Sequence, residues 1–113
     1  MSIEQWSDNI LVVDLQDDPA LTDDLVAVLD QTETRPDLDV VLDFASTTYL
    51  NSSNLAKLLK LRKQLSSNKR RLLLCGISTQ LWGLFLYTQL DKVFEFADDV
   101  GTALASLQLA AGG

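Results

Sequence analysis

The chain has 113 residues, with 9 bases against 16 acids, no histidine, and one cysteine, Cys75. Without histidine there is no Ser-His-Asp or Cys-His catalysis, and a lone cysteine supplies neither a His/Cys zinc site nor an internal disulfide. An apolar share of 47% supports one ordinary core in one domain and argues against disorder.

Ile10–Leu15 (ILVVDL) is short, β-branched and closed by the turn signal Asp17-Asp18-Pro19, which predicts a strand. Ile3–Trp6 forms a shorter strand before it, joined through Ser7-Asp8-Asn9. Thr22 is the expected N-cap of the first helix, with Asp23 and Asp24 in its first turn and Leu25, Val28 and Leu29 on its apolar face. Asp39–Phe44 (DVVLDF) is the clearest strand, and its Val40-Val41-Leu42 run predicts burial on both faces, as in a parallel sheet.

A long helix follows Asn51-Ser52-Ser53-Asn54. Leu55, Leu58, Leu59 and Leu65 are expected to line its inner side, Leu61 to flank it, and Lys57, Lys60 and Lys63 to fall largely opposite. Ser66-Ser67-Asn68 ends it. Arg71–Ile77 reads as a buried strand, and a helix capped by Ser78 or Thr79 runs to about Leu90. Val93–Ala97 is the next strand and Val100–Leu109 the last helix, which leaves residues 110–113 as a frayed tail. The pattern predicts an α/β domain over residues 1–109, with about four helices on a mostly parallel sheet of four to five strands and right-handed crossovers.

Charge is segregated along this order. Residues 1–43 hold 12 acids and one base, Arg35; residues 44–90 hold no acid and seven bases; residues 91–113 return to a balance of −3. Such a block is either a solvated helix face with its loop or a positive surface for an anionic partner, such as a small acidic protein surface or a nucleotide-loaded protein. A long nucleic acid would be repelled by the acidic remainder. No stretch reaches the roughly 20 apolar residues of a membrane helix. The opening MSIEQWSDN has acids where a signal peptide is basic and then apolar, so a cytoplasmic location is expected.

The stretch VVLDFASTTYLNSSNLAKLLKLRKQL resembles the anti-sigma factor antagonists, or STAS domains. In that family a strand ends in Asp plus an apolar residue, here Asp43-Phe44. An apolar pair, here Tyr49-Leu50, then leads into Asp-Ser-Ser-Gly-Leu at a helix start, here Asn51-Ser52-Ser53-Asn54-Leu55. RRLLLCGIS and LYTQLDKVFEFADDVGTALASL continue the likeness. It is weaker over residues 1–35, where Asp17-Asp18-Pro19 replaces the family's glycine.

The resemblance implies a non-enzymatic regulator, a phosphoprotein of signal transduction acting on transcription. Its partner would be an anti-sigma factor that is itself a serine kinase, and a metal-dependent serine phosphatase would reset it. Phosphorylation would fall on Ser52, with Ser53 as fallback, and Asn51, Ser52, Ser53, Asn54, Lys57 and Lys60 would meet the partner. Two positions depart from the motif. Asn51 removes a carboxylate beside the acceptor, and Asn54 is expected to put a side chain where the family keeps its surface bare. These departures point to the alternative, an unphosphorylated STAS-like scaffold in a larger signalling or lipid-trafficking complex.

The residues support part of this unaided. Ser52 and Ser53 lie at a helix start, where free N–H groups and the dipole accept an anion. Lys57 is about 140° round the helix from Ser52, a poor internal partner for a phosphate there. The competing expectation is that Asn51 or Ser52 is only an N-cap.

Elsewhere, Leu81, Leu84, Phe85 and Thr88 are expected to face the sheet, leaving Trp82, Leu86 or Tyr87 as an exposed patch. Cys75 reads as a buried, inert thiol. Asp17/Asp18, Asp23/Asp24 and Asp98/Asp99 read as turn and cap residues, with a weak divalent-cation site the lesser alternative. No Gly-rich phosphate loop is present, and no cofactor is called for. A small enzyme or phosphate carrier built on the Asp43–Asn54 loop, and an oligonucleotide binder using Lys57–Arg71, are rivals from other classes.

Overall fold

The computed structural model describes residues 3–112, with side chains to residue 110. The elements run β1 (Ile3–Ser7), β2 (Ile10–Asp14), α1 (Ala20–Thr34), β3 (Asp39–Asp43), α2 (Ser52–Ser67), β4 (Leu72–Cys75), α3 (Thr79–Tyr87), a single 3₁₀ turn (Leu90–Lys92), β5 (Glu95–Ala97) and α4 (Val100–Gly112). The five strands form one sheet in the order β1-β2-β3-β4-β5. β1 is antiparallel to β2, and every later pair is parallel.

That monotonic order decides where the helices go. Three crossovers of one hand, each stepping in the same direction, put their helices on one face. Leu11, Val13, Val40, Leu42, Phe44, Leu72 and Leu74 accordingly meet Leu21, Leu25 and Val28 of α1, Leu58, Leu61 and Leu65 of α2, and Leu81 and Phe85 of α3 in one core. The alternate positions Ile10, Val12, Val41, Leu73 and Cys75 point to the other face, where α4 covers them with Ala103, Leu104 and Leu107. Coverage of both faces is why Val40, Val41 and Leu42 are all buried.

Several details differ from the sequence reading. α1 starts at Ala20 with Pro19 at the cap position, so Thr22 is not the cap; instead Asp18 accepts from the Thr22 N–H at 2.8 Å. On α2 the buried positions are Asn54, Leu58, Leu61 and Leu65. Leu61 therefore faces inward and Leu59 outward, 38% exposed, because a buried asparagine starts the stripe one residue earlier than Leu55 would. Thr88 does not face the sheet: it is exposed, and its hydroxyl donates to Leu84 O at 2.8 Å. β4 and β5 are shorter than expected, the latter because the 3₁₀ turn takes up the chain before Val93. α4 continues through Ala110 to Gly112, where a frayed tail was expected; Gly113 lies outside the described residues.

The basic block is partly spent inside the fold. Arg70 Nη2 pairs with Asp39 at 2.8 Å, Arg71 pairs with Glu95, and Arg62 Nε donates to Val93 O at 2.8 Å. Lys60 and Lys63 stay exposed over the groove between α1 and α2, opposite Glu33. The middle segment is therefore less electropositive at the surface than its composition suggests.

Candidate functional site

β3 delivers the chain to the C-terminal edge of the sheet, where ligand and partner sites of such folds lie. Past Asp43 the backbone stays tied to its neighbours: Phe44 N–H donates to Cys75 O at 2.9 Å, and Asp43 Oδ1 accepts from Ala45 N–H at 3.0 Å. Gly76, at φ +69°, is needed here, since a Cβ would stand 2.5 Å from Asp43 Oδ1. Thr47, buried, donates its hydroxyl to Leu15 O at 2.9 Å, and Leu50 is buried beneath the loop.

Between those anchors Asp17 holds the loop from the side. One carboxylate oxygen accepts from Thr48 N–H at 2.8 Å and Tyr49 N–H at 3.3 Å, and the other from the Thr48 hydroxyl at 2.6 Å. Asp18 continues the brace. Its Oδ1 takes the Thr22 N–H and hydroxyl, and its Oδ2 takes Asn54 Nδ2 at 3.3 Å. The Thr48 hydrogen bonds hold Asp17 below the ordinary aspartate range, and the Thr22 hydrogen bonds do the same for Asp18.

The helix start is closed by a reciprocal pair. Asn51 Oδ1 accepts from Asn54 N–H at 2.8 Å, and Asn54 Oδ1 accepts from Asn51 N–H at 2.9 Å, a capping box built from two asparagines. Asn54 is only 1% exposed. The expectation that it would cover the outer surface is therefore corrected, because its amide is needed inward, between Asn51 and Asp18. The two departures from the motif are one structural unit.

Ser52 is the first residue of α2, not its cap. Its side chain is exposed, and its hydroxyl has no hydrogen-bond partner among the described residues. Ser53 is exposed too, but its Oγ accepts from Lys57 Nζ at 2.9 Å. Lys60 lies two turns on, roughly 12 Å along the axis from Ser52 at 1.5 Å per residue, so the loop does not bring it to the serine. Two features were missed in the sequence. Tyr49, read only as half of an apolar pair, is 67% exposed beside the serines while Leu50 is the buried half. Asp17 and Asp18, read as turn residues, lock the site in place, and no local pattern announces partners some 30 residues away.

The rest of the surface is plainer. Cys75 is fully buried, and desolvation, reinforced by Asp43 and Asp99, pushes its thiol up to about 12. On α3, Trp82 packs edge-on against Phe96 at 5.0 Å, whereas Tyr87 is 89% exposed. Among the described residues no set of three His, Cys, Asp or Glu side chains could hold a metal ion, and no helix is long and apolar enough to cross a membrane.

The pinned loop at the end of β3 and the exposed hydroxyl at the first position of the next helix sit on an α/β fold whose family the sequence shows. The STAS domain family model matches residues 5–103, and the chain belongs to that family. Solved structures agree in fold. RsbS from Moorella thermoacetica superposes with a TM-score of 0.83 at 16% identity, covering 98% of this chain and 97% of that one. An anti-sigma-factor antagonist (STAS) domain protein from Planctomyces limnophilus gives 0.76 at 16%, over 88% and 91%. The Bacillus cell fate determinant SpoIIAA in its phosphorylated form gives 0.71 at 16%, over 93% and 96%. No curated protein matches the sequence.

Proposed function

We propose that this chain is an anti-sigma factor antagonist switched at Ser52. Unmodified, it binds an anti-sigma factor serine kinase through Tyr49, the Asn51–Ser53 edge and the outer side of α2, with Lys57 and Lys60 at the margin, and so frees the factor that kinase restrains. The chain itself is not an enzyme: ATP and Mg²⁺ belong to the kinase, and a metal-dependent serine phosphatase reverses the mark. The domain works in the cytoplasm, where such partners act.

The observation that carries this reading is the division of labour at the helix start. Asn51 does the capping, so the Ser52 hydroxyl is left exposed and, among the described residues, unbonded. Phosphorylation would add roughly −1.5 to −2 charges at neutral pH, next to free N–H groups that tolerate an anion. The helix survives it. A partner surface fitted to a neutral hydroxyl does not, because it must meet and desolvate a dianion.

The test is capture from lysate with wild type, Ser52→Ala and Ser52→Asp, with phosphate mapped by mass spectrometry. The expected result is an ATP-dependent serine kinase recovered with the first two and lost with the third, and phosphate on Ser52 of the wild type. Equal recovery with all three would replace the switch by the constitutive scaffold.

A further inference from the structure

At the opposite end of the sheet, where β4 begins, three arginines converge on a cavity of ≈ 180 Å³. We propose that this cavity is a binding site for the phosphoryl group of a small ligand, clamped between Arg62 and Arg70.

Arg71 is fully engaged: Nε and Nη2 pair with Glu95, Nη1 donates to Ser106 O at 3.4 Å, and Nη2 also reaches Ser106 Oγ at 2.9 Å. It forms a wall. Arg62 spends only Nε, on Val93 O, and has no ion pair among the described residues, so both Nη groups are free; Glu95, which lines the same cavity, is held by Arg71. Arg70 spends Nη2 on Asp39, which leaves Nη1 as the donor for a ligand, while its Nε is buried out of solvent's reach without any acceptor among the described residues. A buried N–H of a charged group left unpaired is costly, and native structures rarely keep one without a reason.

Three guanidiniums meet two carboxylates, Asp39 and Glu95, so one positive charge remains uncompensated. Ser66, one helical turn after Arg62, adds a hydroxyl to the rim. Spare planar N–H donors from two sides, with a net positive charge, match the tetrahedral oxygens of a phosphoryl group. The volume is below the roughly 300 Å³ at which pockets for drug-sized ligands begin, which favours a small phosphate compound. This site is independent of the switch: Ser66 lies roughly 21 Å along α2 from Ser52 at 1.5 Å per residue.

The test is an amide NMR titration of the full chain with inorganic phosphate and with pyrophosphate, against sodium chloride at matched ionic strength. Saturable shifts at Arg62, Ser66, Arg70 and Leu72, absent with chloride, are expected. Arg62→Gln, which leaves the Arg70–Asp39 pair intact, should weaken binding about tenfold through loss of a charge-assisted contact. Ser52→Ala should bind as the wild type does. Shifts no larger than with chloride would mean that the arginines serve only the negative end of α2, and would overturn the site. So would unchanged affinity in Arg62→Gln, or loss of binding in Ser52→Ala, which would move the anion to the other end of the helix.

Discussion

The two ends of the sheet handle charge in opposite ways. At the C-terminal edge, Asp17 accepts the N–H and O–H of Thr48 in the neighbouring loop and Asp18 those of Thr22 in the first turn of α1, so the carboxylates act as clamps on the backbone. At the other edge, Asp39 and Glu95 are taken up by guanidiniums. The first arrangement fixes a loop and leaves a neutral hydroxyl exposed at its tip; the second ties strands together and leaves cationic donors over. The loop bearing the exposed serine is thus held by groups that do not touch Ser52, while spare positive charge is kept at the far end.

The largest effect should come from Gly76→Ala. A positive φ and a Cβ pressed against Asp43 Oδ1 should cost about 2–3 kcal/mol, read as a lower urea midpoint with an unchanged m-value. Next is a paired comparison at the helix start. Asn51→Ala removes the cap and should cost about 1 kcal/mol, whereas Ser52→Ala should change stability by less than about 0.5 kcal/mol. Equal costs would mean that Ser52 is structural after all. Smaller again is the response to acid. Asp17 and Asp18 have depressed values in the folded state, so their contribution is present above the ordinary aspartate value of 3.8 and is lost as pH falls through the folded values. Amide shifts of Thr22, Thr48 and Tyr49 should therefore titrate together below pH 3.8, ahead of global unfolding. The smallest stability change belongs to Tyr49→Ala, within about 0.5 kcal/mol, yet that substitution should weaken kinase capture more than any lysine change, since exposed aromatics dominate interface energetics.

Much of this architecture was legible beforehand. The order of strands and helices follows from apolar runs and turn residues, and the double burial of β3 from its unbroken Val40-Val41-Leu42. The serine pair at the start of α2 was legible as well, because short polar residues before a leucine-rich period mark a helix start. Where the structure departs from the pattern, polar side chains satisfy their hydrogen bonds in ways that apolar spacing does not show. Asn54 is buried in the inner stripe of α2, so the stripe runs through Leu61 rather than Leu59. Thr22, a good cap residue by type, sits inside α1, where Asp18 satisfies its N–H.

Local periodicity, turn chemistry and composition are properties of neighbours along the chain, and they determined the class of fold, the element order and the position of the exposed hydroxyl. Tertiary structure decided which charges are spent. Asp17 finds Thr48, Asp39 finds Arg70, and Glu95 finds Arg71 across separations of 31, 31 and 24 residues, because parallel strand pairing brings distant loops to a common edge. Hydrogen bonds and ion pairs depend on distance in space, and spacing along a sequence carries no record of that.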